Sequence, residues 1–386
     1  MTLTATSPVR HILAATDFSD SAEAALALAA RYAGAGIATD HECFTYEEAV
    51  GKIRLGMKIL IREGSAARNF EALHPLLGEH PGMCMLCSDD KHPDELVRGH
   101  IDRLAARAVA KGIPLFDVLL AACVNPVRHY RLPVGLLRAG DPADLIEVDD
   151  LKEFHVRRTW VDGRLVAAEG KTLFETRPAS VVNAFRCSPK KPADFRVPAR
   201  PGRLRVIEAI DKQIVTSEVH LDPKVESGTA VADPARDILK IVVVNRYGDT
   251  PPAVAFVKNV GLKTGALAST VAHDSHNIIA VGCDDESLCR AVNALIAAKG
   301  GVCFVKGLES HVLPLPIAGL MSPDSGETVG EKYSKIDRLT KDAGVTLSAP
   351  FMTLSFLALL VIPQLKLSDK GLFDGQAFRF VELFTG

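Results

Sequence analysis

Over the first third of the chain, short apolar runs alternate with stretches whose apolar positions recur at helical spacing. "RHILAAT" predicts a strand. "DFSDSAEAALALAARYA" predicts a helix, with Ser19 or Asp20 as its cap and Glu23 in its first turn. The pattern stops at Gly34, and "GAGIATDHECF" opens a second strand. Thr45 and Glu48 stand at capping-box spacing ahead of a helix, which the apolar run "MKILIREG" follows. "ARNFEALHPLLGEH" predicts a further helix, and "GMCMLCSDD" a buried strand ending in two carboxylates. "PDELVRGHIDRLAARAVAKG" predicts one long amphipathic helix that stops at Gly112, and "PLFDVLLAACVNPVRHY" predicts another. Strands alternating with helices indicate an α/β domain with parallel strands.

From about residue 134 the texture changes. Short strands are separated by tight turns ("GDP", "DD", "DG"), which predicts a small β-domain over 131–185. "RCSPKKPADFRVPARPG", rich in Pro and Lys, predicts a linker over 186–202. From 203 to 386 an α+β domain is expected. Its strands are "LRVIEAI", "ILKIVVVNRYG" and "NIIAVGC", and its helix "DDESLCRAVNALIAAKGG" is capped by Asp284 or Asp285.

The bulk numbers narrow the function. A length of 386 residues suffices for two or three domains. A net charge of −2 with 6% aromatic residues speaks against nucleic acid, base-stacking surfaces and anionic membranes as partners. The start of the chain shows no signal-peptide pattern. The longest apolar stretch, "FMTLSFLALLVIP", is too short to span a bilayer and reads as core. Eight scattered cysteines read as reduced thiols, so a cytoplasmic protein is expected. Cys84 and Cys87 form a C-x-x-C, but their apolar flanks suit a strand better than a redox turn.

Three clusters bear chemistry. His41-Glu42 and Asp89-Asp90 each follow a predicted parallel strand, at the edge where an α/β barrel gathers its catalytic groups. Polar groups at strand ends are also ordinary solvated loop starts; two such pairs in one short stretch make the functional reading as good as that one. "IREGSAARN" places Arg62, Glu63 and Ser65 at a βα turn that suits an anion or a polar ring edge, or is a plain capped turn. "TVAHDSHN" brings His273, Asp274 and His276 ahead of an apolar strand. H-x-x-H spacing is compatible with metal ligation, though a polar loop is the commoner reading.

Taken together, "GIATDHECFTYEEAVGKIRLGMKILIREGSAARNFEAL", "CMLCSDDKHPDEL", "GDPADLIEV", "TVAHDSHNIIAVG" and "LPLPIAGLMS" resemble the adenine deaminase family of the metal-dependent amidohydrolase superfamily, over about residues 35–386. The resemblance implies a (β/α)₈ barrel, a small β-domain and a C-terminal domain. It implies hydrolysis of adenine to hypoxanthine and ammonia, with manganese or iron as the metal; a homo-oligomer is expected from the exposed strand edges of an incomplete barrel. By that resemblance His41 is a metal ligand. Asp89 is a metal ligand and proton shuttle, and Glu42 serves catalysis beside it. Arg62, Glu63 and Ser65 lie near substrate, and His273, Asp274 and His276 belong to a family hallmark whose role the resemblance does not supply.

The same resemblance calls for an H-x-H pair and further ligands upstream of His41. No H-x-H occurs in the 386 residues, and one histidine, His11, precedes His41. The expectation is therefore a partial barrel, 34–130, holding only the last strands. Residues 9–33 resemble instead the first strand and helix of a universal stress protein, with Asp17 at that family's first-strand acid. Two readings follow: a deaminase impaired by absent ligands, or an inactive remnant acting, if at all, by association with intact subunits.

Overall fold

The computed structural model describes residues 30–175 and 179–386. The predicted strand and helix of the 9–33 stretch lie outside these, apart from a helical end at 30–34. The fold is mixed α/β, and the described residues fall into two compact units: 30–91 with 95–175, and 179–386 with 92–94.

In the first unit, β1 (Thr39–Asp40), β2 (Lys58–Arg62) and β3 (Cys84–Cys87) form a parallel sheet in sequence order. No closed barrel is present among the described residues. One face of the sheet is apolar because it is covered: Ile59, Ile61, Cys84 and Leu86, which alternation and register put on the same side, pack with Phe70, Leu73, Leu76, Leu77, Leu104 and Ala108. Thr45 caps the Tyr46–Arg54 helix by accepting from the Glu48 amide at 3.2 Å, and Glu48 reaches back to the Phe44 amide rather than to that of Thr45. The two long helices expected after Ala67 and Pro93 are interrupted. Pro75 separates Phe70–Leu73 from Leu76–Glu79, and Gly99, at φ +150°, separates Pro93–Leu96 from Ile101–Ala110. Phe70–Leu73, Leu76–Glu79 and Ile101–Ala110 turn their apolar sides to one core, whereas Pro93–Leu96 buries no residue and leaves Leu96 exposed. An antiparallel four-stranded sheet follows (Leu145–Val148, Val156–Val161, Arg164–Ala168, Lys171–Thr172).

The second unit is built on a nine-stranded sheet. Its central strand, Ile238–Val244, lies between Ala253–Lys258 and Ile278–Gly282. All seven of its residues are buried: Leu239, Ile241 and Val243 enter one core, and Val242 and Val244 the other. The Asp285–Ala298 helix covers the second face, capped by Asp284 through the Ser287 amide at 2.7 Å. The 186–202 stretch, expected as a linker, contains a 3₁₀ turn, Pro192–Phe195, and a short strand, Val197–Pro198, and is fastened to the unit. Cys187 and Phe195 are buried, the Lys190 amide donates to Asn293, and Lys240 donates to the Phe195 carbonyl and to Asp285. The apolar 351–363 stretch is core, as expected, with its helix at Pro350–Phe356. No described helix is long and apolar enough to cross a membrane.

Candidate functional site

The parallel register places the residues after β1, the last residue of β2 and those after β3 at one edge of the sheet. The loop after β1 is shaped by Asp40, whose carboxylate accepts from the amides of Glu42 (2.7 Å) and Cys43 (3.2 Å) and pairs with Lys52 at 2.8 Å. Asn69 ties this loop to β2. It accepts from the Arg62 amide at 2.8 Å and donates to the carbonyls of Cys43 (3.0 Å) and His41 (3.4 Å).

Arg62 is the centre of the cluster. Its side chain is 3% exposed. Its two terminal nitrogens fork onto Glu42 at 3.0 and 2.7 Å, and Nη1 also donates to Asp89 Oδ2 at 2.6 Å. Asp89 sits in the left-handed region, φ 54°, and its Oδ1 accepts from the Asp90 amide at 2.8 Å. His41 Nε2 lies 3.2 Å from Glu42 Oε1, on the exposed side. Burial disfavours the charged Glu42, but the His41 hydrogen bond and the Arg62 charge outweigh it and hold the carboxyl below its ordinary value. The same hydrogen bond raises His41 against burial. Arg62 is raised too: burial opposes its charge, and the two carboxylates overcome that.

Four of the residues singled out by sequence therefore meet: His41, Glu42, Arg62 and Asp89. Glu63 and Ser65 do not join them. Glu63 pairs with Arg107 at 2.6 Å, and Ser65, 3% exposed, donates its hydroxyl to Glu95 at 2.7 Å and its amide to the Asp90 carbonyl at 2.8 Å. Alternation along an extended chain sends Glu63 to the face opposite Arg62. Asn69 was missed, because a lone Asn at a helix start carries no signal of the loop it fastens. His273 and His276 lie in the other unit. Their rings are 5.7 Å apart; His273 Nδ1 bonds the Ser355 hydroxyl at 2.6 Å and His276 Nδ1 accepts from the Ala272 amide at 3.2 Å. Cys84 and Cys87 are unpaired strand residues whose thiols burial pushes up to about 12, as the non-redox reading expects.

Among the described residues no group of three His, Cys, Asp or Glu side chains is disposed to hold a metal. His41 and Asp89 are committed to Glu42 and Arg62, and the positive charge at the site is a guanidinium.

The loops after β2 and β3 meet closely at Gly64. A Cβ there would stand 2.9 Å from the Asp90 carbonyl oxygen and 3.2 Å from that of Ala67. Both are backbone atoms, so Gly64→Ala should cost about 1–3 kcal/mol, read as a lower urea midpoint; an unchanged midpoint would mean the two loops yield freely.

Two family models match the sequence: "Amidohydrolase family" over residues 12–166, and "Adenine deaminase C-terminal domain" over 213–379. The first begins inside the 9–33 stretch. An adenine deaminase of Salinibacter ruber is 57% identical over 358 residues, covering 92% of this chain and 66% of the relative. Those of Methanosarcina barkeri and Borreliella burgdorferi are 52% and 47% identical, with the same coverages. The chain belongs to the adenine deaminase family. It spans 66% of the length of these relatives. Within the family match, the strand-edge cluster falls in the amidohydrolase segment and the His273–His276 loop in the C-terminal domain segment.

Proposed function

We propose that this chain carries part of the machinery that hydrolyses adenine to hypoxanthine and ammonia. The observation that supports this best is the convergence of His41, Glu42, Arg62 and Asp89 on one strand edge, in a chain whose relatives bear that name. In this reading residues 34–130 are the last βα units of a (β/α)₈ barrel, 131–185 a small β-domain and 203–386 the family's C-terminal domain, in a cytoplasmic homo-oligomer.

In the reaction, water oxygen bonds to the ring carbon that bears the amino group and the carbon–nitrogen bond breaks. One water proton leaves with the ammonia and the other stays on a ring nitrogen. Glu42, held ionised, offers an acceptor to a ring N–H. Asp89 carries the proton, which requires that Oδ2 part from Arg62. The family implies a divalent metal, manganese or iron, whose chemistry when bound is to activate the water. His41 and Asp89 are two ligands of that type, fewer than the three protein ligands usual for a catalytic metal, so the described set does not fit one by itself and no step is assigned through it.

The Arg62 clamp on both carboxylates favours a second reading, a chain that keeps the family's fold without its turnover. Metal content and ammonia release from adenine, with and without manganese, separate the two. We expect substoichiometric metal and release about 100-fold slower than by the Salinibacter ruber relative measured alongside, with any residual release lost in Asp89→Asn. Release that Asp89→Asn leaves untouched would sink the assignment. Turnover equal to the relative's would remove the second reading.

A further inference from the structure

The nine-stranded sheet of the second unit ends on the strand Thr216–Leu221, which pairs antiparallel with Arg203–Ala209 in one unbroken register. Among the described residues no strand pairs with its other side. Arg205, opposite His220, turns its amide away from the edge strand to the Leu383 carbonyl at 2.8 Å, and Thr216 turns its own outward to the Pro363 carbonyl at 3.1 Å. Alternation then directs the amides and carbonyls of Glu218 and His220 outward as well. Among the described residues none of these four groups has a hydrogen-bond partner.

The open stretch has fixed ends. Pro363 occupies the Thr216 amide at one end. At the other, the Asp222 carbonyl accepts from Arg236 at 3.2 Å, and Pro223 has no amide to give. What lies between is symmetric about Val219. A cavity of about 570 Å³ opens along it, lined by Glu218, Val219, His220 and Leu221 together with Gln364 and Asp374. The strand contains neither lysine nor proline nor a bulge, the usual means of blunting an edge.

We propose that this edge pairs with the same edge of a second copy of the chain, antiparallel and across a two-fold axis at Val219. In that register Glu218 of each copy stands opposite His220 of the other, and each such pair exchanges two backbone hydrogen bonds. The side chains select the register: a carboxylate faces an imidazole in both pairs, whereas a slip of two residues either way sets His220 against His220 or Glu218 against Glu218. Val219 meets Val219, which extends the apolar cluster of Leu204, Val206 and Phe256 against which it already packs. The proposal gives a surface to the homo-oligomer of the reading above but rests on the edge alone, so its failure would not bear on adenine hydrolysis.

The test is sedimentation velocity of the full chain from about 1 to about 300 µM, with amide hydrogen exchange followed at both ends of that range. The pairing is short, so a weak, concentration-dependent dimer is expected. In the dimer the Glu218 and His220 amides should exchange about ten-fold slower or more. His220→Pro removes one outward amide from each copy and leaves the bonds to Arg203–Ala209 in place; it should raise the dimer dissociation constant about ten-fold or more. His220→Glu, which opposes two carboxylates, should also weaken the dimer, and Glu218→His added to it should recover the loss. Far-ultraviolet circular dichroism checks the fold of each variant, and the exchange measurement on the wild type decides the matter without one. A monomer throughout the range, a dimer whose Glu218 and His220 amides exchange as fast as the monomer's, or equal dissociation constants for wild type and His220→Pro would overturn the proposal.

Discussion

Replacing Arg62 by Met should destabilise the first unit by about 2–3 kcal/mol. The guanidinium is buried, while Glu42 and Asp89 are 36% and 20% exposed. Taking one partner from a fully buried ion pair costs about 3–5 kcal/mol, because the remaining charge has no counterion. Here water reaches both carboxylates, which reduces the cost to the lower figure. The loss has a pH signature. Glu42 has its folded pKa depressed by Arg62 and His41, so its contribution is full above the unfolded carboxyl value, about 4.3, and fades as the pH falls through the folded one. Wild type and Arg62→Met should therefore differ most near neutrality and converge in acid. Arg62→Lys keeps the charge and loses the fork, and should recover part of the difference. Urea unfolding at several pH values reads all of this. A gap that stays constant down to pH 3 would show that Arg62 acts by packing alone.

That clamp also marks the limit of what could be read in the chain. The strands were legible, because apolar runs bounded by polar residues leave few alternatives. The pairs at their ends were legible as chemistry for the same reason: His41-Glu42 and Asp89-Asp90 interrupt an apolar pattern at the point where a parallel sheet exposes its edge. Arg62 was not legible as their centre. Its partners lie 20 and 27 residues away, and only the register of β1, β2 and β3 brings them within hydrogen-bonding distance. Glu63 shows the converse: one step along the chain, side chains change faces, so a site drawn from neighbours in sequence includes residues that point elsewhere. The long helix drawn through Gly99 fails on a local fact, a backbone angle that glycine permits and no periodicity records. The 186–202 stretch misleads through composition. Its prolines and lysines suit a linker, yet Phe195 and Cys187 are the residues that seat it on the second unit.

Lys366→Met should stabilise the second unit at pH 6 and destabilise it near pH 10. Lys366 lies on the Leu365–Ser368 strand opposite Phe373, is fully buried, and donates to the Ile214 carbonyl at 2.6 Å. No carboxylate faces it among its hydrogen bonds. Desolvation disfavours the charged form and brings the pKa down to about 7. Between that value and about 10.4 the unfolded chain binds a proton that the folded chain does not. Stability of the wild type therefore rises with pH across this window, by up to about 1.4 kcal/mol per unit. Below pH 7 the lysine is charged in both states and the full cost of burying it applies, on the order of 3–5 kcal/mol. Methionine removes that cost and fills a similar volume, but leaves the Ile214 carbonyl without its donor, a loss of about 1–3 kcal/mol. The net gain at pH 6 is then about 2 kcal/mol. It should shrink and change sign as the pH approaches 10, where neutral Lys366 keeps its hydrogen bond without the desolvation cost. Thermal unfolding of both proteins from pH 6 to 10 decides the matter. Parallel curves would mean that Lys366 stays charged in the folded protein, and that water or a partner not drawn into its hydrogen bonds supports it there.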